Sequence, residues 1–150
     1  MTRKSDTTGP MTDAPMLHAE TDARRVLLAA LRAVADPTLD WPWVSTPPDH
    51  PMTLAEAMAR TPRSEPLDDH ETHSYSAQPH LDRIAFFVRT GWDEPINLDI
   101  ASPLGGGWWP VTDGNHRLYA AIVRDDEHVE VVISGDVEWA NTQLLPDNAW

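Results

Sequence analysis

Trp108-Trp109-Pro110-Val111-Thr112-Asp113-Gly114-Asn115-His116-Arg117-Leu118-Tyr119-Ala120-Ala121-Ile122-Val123-Arg124, then an acidic turn, then Val129-Glu130-Val131-Val132-Ile133-Ser134-Gly135, is the stretch that decides the fold. Val111 and Thr112 close a short β-prone run, and Asp113-Gly114 reads as a turn or a helix cap. Leu118, Ala121 and Ile122 recur at the three-and-four spacing of a buried helix face. Val129, Val131 and Ile133 alternate with Glu130, Val132 and Ser134, as in a strand buried mainly on one face. The order is strand, turn, helix, strand. It places Asn115, His116 and Arg117 in the first helical turn, where unpaired backbone N–H groups and the positive end of the helix dipole favour an anion.

Upstream, Ile96-Asn97-Leu98-Asp99-Ile100 alternates as a second strand, entered through Glu94-Pro95. Gly105-Gly106-Gly107 links it to Trp108; it lacks the Lys-Ser/Thr and following helix of a phosphate-binding P-loop and reads as a turn. His80 to Thr90 is a helix with Leu81, Ile84, Ala85 and Val88 as its buried stripe, Arg83 and Arg89 off that stripe, and Gly91 as its stop. Thr53-Leu54-Ala55-Glu56 has capping-box spacing and opens a short helix to about Arg60. Residues 36–52 hold five prolines with Trp41 and Trp43, which predicts an ordered loop packed on the domain, because exposed Trp is costly. A helix is expected over 21–35 from Leu27, Leu28, Leu31 and Val34, ended by Asp36-Pro37, and another over 137–145, capped by Asp136 or Ser134. Residues 1–16 read as a disordered tail. The expectation is one α/β (α+β) domain over 17–150, a small mixed sheet flanked by helices, with an N-terminal helical and Pro/Trp-rich extension.

Composition narrows the chemistry. The chain has no Cys, so disulfides and thiolate chemistry are out. Its net charge is −13, with Lys4 the one lysine among 11 basic residues, so direct DNA binding is not expected. No apolar run nears the roughly 20 residues that span a bilayer, and the N-terminus lacks the apolar core of a signal peptide, so a cytoplasmic protein is expected. In the acidic segment 64–79, His70 and His73, with Asp68, Asp69 and His80 nearby, have a spacing that fits no standard metal box. A solvated loop, a metal cluster, and a lid contributing Glu71 or His73 to the phosphate site all stay open.

The run Asp113-Gly114-Asn115-His116-Arg117-Leu118-Tyr119-Ala120-Ala121, with Glu94-Pro95-Ile96-Asn97-Leu98 upstream, resembles the ParB/sulfiredoxin superfamily and its Asp-Gly-His-His-Arg or Gly-Gly-Cys-His-Arg box. The resemblance covers about residues 80–135. It implies a box that opens a helix and binds nucleotide phosphates, as in partition-protein CTPases, sulfiredoxins and an ADP-dependent serine kinase. Asn115 stands where sulfiredoxins carry their reactive Cys, which rules out that activity. Partition proteins carry a helix-turn-helix after the box, whereas this sequence runs about 15 residues past its last strand, so chromosome partition is not expected as the whole function.

Two functional readings follow. In the first, a nucleotide (ADP, ATP or CTP), with Mg²⁺, is bound by Gly114, Asn115, His116 and Arg117 for phosphoryl transfer or hydrolysis. Gly114 lets the backbone approach closely, Asp113 caps the helix or holds Mg²⁺, and Glu94 orients a hydroxyl acceptor or stays a solvent-facing turn residue. Arg117→Ala is then expected to weaken binding while leaving the fold intact; His116 meets phosphate either as an imidazolium, with affinity falling as pH climbs through neutrality, or as a neutral donor, or is a core residue. In the second, the box binds nucleotide without turnover and regulates contacts with a protein partner through Trp41, Trp43, Trp108 and Trp109.

Overall fold

A computed structural model describes residues 22–100 and 109–144. The tail, the Gly105–Gly107 link, Trp108 and the C-terminal Trp150 lie outside them. The sheet has four strands, β1 (Arg24–Leu27), β2 (Ile96–Ile100), β3 (Val111–Asp113) and β4 (His128–Gly135), in the order β1-β4-β2-β3. β2 and β4 pair in parallel at the centre, with Leu98 opposite Ile133, while β1 and β3 pair antiparallel on the two edges. Ile96, Leu98 and Ile100 alternate with more exposed neighbours, as do Val129, Val131 and Ile133, so one face of the sheet is apolar. The fold is therefore the mixed α/β (α+β) arrangement expected.

Six helices accompany the sheet among the described residues: α1 (Leu28–Arg32), α2 (Leu54–Ala59), α3 (Asp69–Thr72), α4 (Gln78–Thr90), α5 (Asn115–Arg124) and α6 (Val137–Leu144). α5 is the pivot. Its Leu118 and Ala121 join the sheet core with residues of α1 and α6, while its Tyr119 and Ala120 join a second core with Ala57, Leu81, Ile84 and Val88 of α2 and α4. With apolar groups on two sides, α5 is fixed between sheet and outer layer, and its first turn cannot shift without disturbing both. The Pro-rich loop is ordered as expected and tied to the same helix, since the buried Met52 N–H donates to the Tyr119 hydroxyl at 2.9 Å.

Local signals account for most boundaries. The Thr53 hydroxyl accepts from the Glu56 N–H at 3.1 Å and the Glu56 carboxylate accepts from the Thr53 N–H at 2.9 Å, completing the capping box of α2. Asp68 and Glu71 make the same reciprocal cap on α3, a one-turn helix where a loop was one of the expectations. Gly91, at φ 71°, stops α4, and Asp136 caps α6 by accepting from the Trp139 N–H at 2.9 Å. The expected helix over 21–35 is a correction: its first part is the edge strand β1, and only Leu28–Arg32 is helical. Val26 is fully buried against β4, and backbone pairing with Val129 and Val131 outweighs a helical spacing that the apolar residues also satisfied. No helix among the described residues is long and apolar enough to cross a membrane.

Candidate functional site

A cleft of about 660 Å³ opens where the first turn of α5 meets the outer face of α4 and the turn that leads into β2. Asp113, Gly114, His116 and Arg117 line one wall, Glu94 sits at the mouth of β2, and Arg83, Phe86 and Phe87 of α4 face them. The sequence-derived box and the carboxylate upstream of β2 therefore meet in one place. Pro66, Leu67 and Thr72 border the cleft from the acidic segment, so that segment does flank the site. Glu71 and His73, the residues expected to contribute, do not: Glu71 is gripped by Arg63, with Nη2 2.6 Å from Oε1, and the His73 ring bonds back to the Asp69 carbonyl at 2.8 Å.

Gly114 opens α5 at φ 107°, a backbone region that L side chains rarely adopt. A Cβ there would lie 3.2 Å from Ile96 Cγ1 and 3.2 Å from Arg117 Nη2, so glycine is what lets the turn lie against β2. The first helical bond runs from the Leu118 N–H to the Gly114 carbonyl at 2.8 Å, and no side chain caps the start. The N–H groups of Asn115, His116 and Arg117 thus have no partner within the helix.

Arg117 is only 7% exposed. Its Nη1 donates to the carbonyls of Glu94 at 2.9 Å and Pro95 at 3.0 Å, pinning the entry of β2 to the start of α5. Nη2 lies 3.4 Å from an Asp113 carboxylate oxygen, and Nη1 lies 3.8 Å from that of Glu94. Both carboxylates are well exposed, so these are weak, screened ion pairs. Arg117 thus holds the fold at the site as well as bordering the cleft, contrary to the expectation of a side chain dispensable for stability.

His116 is held by a partner that the sequence did not suggest. Its Nε2 lies 2.9 Å from Nδ1 of His80, and the indole of Trp43 stacks on both rings, 4.6 Å from each centroid. Burial, then the charges of its neighbours His80, Arg83 and Arg117, hold the His116 pKa far below the ordinary histidine range, and burial alone pushes His80 down to about 4. Both rings are neutral at neutral pH. Of the alternatives for His116, this favours the neutral ring over the imidazolium. It also removes His80 from the metal reading of His70 and His73, since His80 points into the core at 1% exposure.

Asn115 is a second correction. Its side-chain oxygen accepts from Trp109 Nε1 at 3.0 Å and its amide donates to the Val111 carbonyl at 3.4 Å, so the side chain anchors Trp109 and the end of β3. Asn115 does not line the cleft and offers it no side-chain ligand. Of the tryptophans expected on a partner surface, Trp108 lies outside the described residues, and Trp41, Trp43 and Trp109 make structural contacts. Trp41 donates to Ser45 Oγ at 2.9 Å and meets Trp43 edge-on, and both pack on the α4–α5 core. Among the described residues no group of three His, Asp or Glu side chains is arranged to hold a metal ion. Asp113, the expected Mg²⁺ ligand, stands beside Arg117, so those residues do not form a cation site on their own.

The residue that sequence reading passed over is Arg83. Its side chain lies over the Phe87 ring, 4.4 Å from the centroid, and donates to the carbonyls of Ser64 at 2.5 Å and Arg63 at 3.3 Å. Among the described residues it has no carboxylate partner. Desolvation, then repulsion from Arg117 and Arg63, lowers its pKa, yet an arginine starts so far above neutrality that it stays charged. Arg63 is neutralised by Glu71, whereas the charge of Arg83 is left to the cleft. The available signal was its place off the α4 stripe, just before Phe86-Phe87. No family model, curated protein or solved structure matches this chain, which leaves the chemistry of the cleft as the ground for a functional reading.

Proposed function

We propose that the cleft is a phosphate-binding site and that the protein takes up a nucleotide or a similar phosphorylated small molecule there. The observation that carries this reading is Arg83, a cation without a carboxylate partner among the described residues, lining the same cleft as Gly114, His116 and Arg117 at the start of α5, whose first N–H groups have no partner within the helix. An anion placed between them gains a charge-assisted bond from the guanidinium and the favourable end of the helix. Gly114 lets its oxygens approach the backbone. Phe86, Phe87 and Trp92 supply an aromatic wall beside the charged corner, which suits a base or another flat ring, and about 660 Å³ is ample for one nucleotide. The resemblance of the Asp113–Arg117 box to the ParB/sulfiredoxin superfamily points the same way.

Phosphoryl transfer is the second reading, favoured by the exposed Glu94 and Asp113 carboxylates at the rim. Either can orient an acceptor hydroxyl or reach a Mg²⁺ that arrives with the phosphates. Calorimetry with ADP, ATP and CTP tests binding, and product release in the presence of Mg²⁺ separates an enzyme from a module that only binds. Arg83→Ala is expected to weaken phosphate binding by about 1.5–3 kcal/mol, roughly tenfold to a hundredfold. Equal affinity in the two proteins, each folded by circular dichroism, refutes the site.

A further inference from the structure

The two imidazoles leave one nitrogen sealed and one open. His80 Nε2 is buried with no hydrogen-bond partner, the single buried side-chain nitrogen or oxygen in that state among the described residues. His116 Nδ1 also has no partner, but it is not shut in, and the space that His116 borders is the cleft. Two neutral rings joined by one hydrogen bond have two arrangements. If His116 donates from Nε2, His80 must carry its own proton on the sealed Nε2, which strands an N–H among apolar and aromatic groups. If His80 donates from Nδ1, the sealed Nε2 is a bare lone pair, and His116 carries its proton on Nδ1 at the cleft. An orphaned buried N–H is the rarer and costlier defect in proteins, so the second arrangement is preferred.

The charged groups around the pair do not reverse that choice. Arg83 and Arg117 repel a proton on the cleft side of His116, but their guanidinium groups are engaged by the carbonyls of Ser64, Glu94 and Pro95, and the cleft is open to water that screens them. On the other side Trp41 and Trp43 enclose His80 with rings that carry no charge.

We propose that His80 is a positioning residue: its Nδ1–H holds His116 in the tautomer protonated at Nδ1, so that His116 enters the cleft as a neutral donor and the corner selects a fully deprotonated oxyanion. The groups that meet the anion there are then donors, His116 Nδ1–H, Arg83 and the first N–H groups of α5, while the Glu94 and Asp113 carboxylates stand exposed at the rim. A ligand atom that itself carries a proton finds no acceptor among those donors. This selection rests on the phosphate-binding reading, while the tautomer does not.

The test is nitrogen-15 spectroscopy of the histidine side chains in the full chain, where protonated and bare ring nitrogens resonate far apart. Without ligand, between pH 5.5 and 8, His116 is expected to show a protonated Nδ1 and a bare Nε2 with no titration. The opposite tautomer, an averaged signal, or a titration in that range overturns the proposal. His80→Asn, which keeps a donor where Nδ1 stood, should preserve the His116 pattern; His80→Phe should release it into a mixture and weaken binding of inorganic pyrophosphate roughly twofold to tenfold. A His116 pattern unchanged in His80→Phe also overturns the positioning role. Pyrophosphate should shift the wild-type His116 Nδ1 signal. Failure of that shift, with the tautomer as stated, overturns the phosphate site and leaves the tautomer standing.

Discussion

Acidification is expected to destabilise this protein by about 3–6 kcal/mol between pH 7 and pH 4. The cause is the buried histidine pair. In the unfolded chain each ring takes up a proton near its ordinary pKa of 6.5, while in the folded protein His80 does so only at about 4 and His116 is held low as well. Between those values the unfolded state binds more protons, so unfolding is favoured as pH falls. The stabilisation is fully present above about 6.5 and is lost on the way down to the folded values. Each unit of pKa difference corresponds to about 1.4 kcal/mol, so His80 alone accounts for roughly 3. Asp36, held low by bonds from Thr38 and Arg32 that outweigh its burial, adds to the loss only in more acidic solution. Loss of negative charge from a chain of net charge −13 acts in the opposite direction by relieving repulsion. Urea denaturation at pH 7.5, 6.5, 5.5 and 4.5 and fixed ionic strength measures the balance. A flat profile in the wild type, or an equal slope in a His80→Phe, His116→Phe double variant, would sink this account.

Arg117→Ala is expected to remove about 2–4 kcal/mol of folding stability in addition to weakening phosphate binding. The guanidinium is nearly buried and gives two hydrogen bonds to consecutive carbonyls at the entry of β2, the strand at the centre of the sheet next to β4. Bonds from a charged donor contribute about 1.5–3 kcal/mol each, and part is recovered when water reaches the freed carbonyls. Lysine should not restore the loss, because one ammonium cannot reproduce a planar fork aimed at two neighbouring acceptors. Denaturation midpoints of Arg117→Ala and Arg117→Lys, set beside Arg83→Ala, give the contrast. Arg83 lies at the cleft rim and should affect affinity more than stability, whereas Arg117 should affect both. A wild-type midpoint in Arg117→Ala would return that residue to a purely ligand-facing role.

Most of the architecture was legible in the order of residues. Ile96, Leu98 and Ile100, then Val129, Val131 and Ile133, alternate because each strand buries one face, and the Thr53–Glu56 pair and Gly91 punctuate helices through local geometry. The box at Asp113–Arg117 was legible as a turn opening a helix, since Gly114 and the apolar stripe behind it depend only on neighbours three or four positions apart. β1 was not, because Leu27, Leu28, Leu31 and Val34 satisfy a helical spacing, and only β4, about a hundred residues away, draws Arg24–Leu27 into the sheet.

The same division runs through the site. The sequence by itself determined that Asn115, His116 and Arg117 share the first turn of a helix and that Glu94 precedes a strand. Only the tertiary structure decided what each side chain does there. Asn115 turns to Trp109, Arg117 to the carbonyls of Glu94 and Pro95, and His116 to His80 beneath Trp43. Arg83 turns to the carbonyls of Arg63 and Ser64 and, among the described residues, meets no carboxylate. Helical position follows from backbone periodicity over a few residues, whereas the direction of a long polar side chain is set by which donors, acceptors and rings the packing of distant segments brings within about 3–5 Å of it.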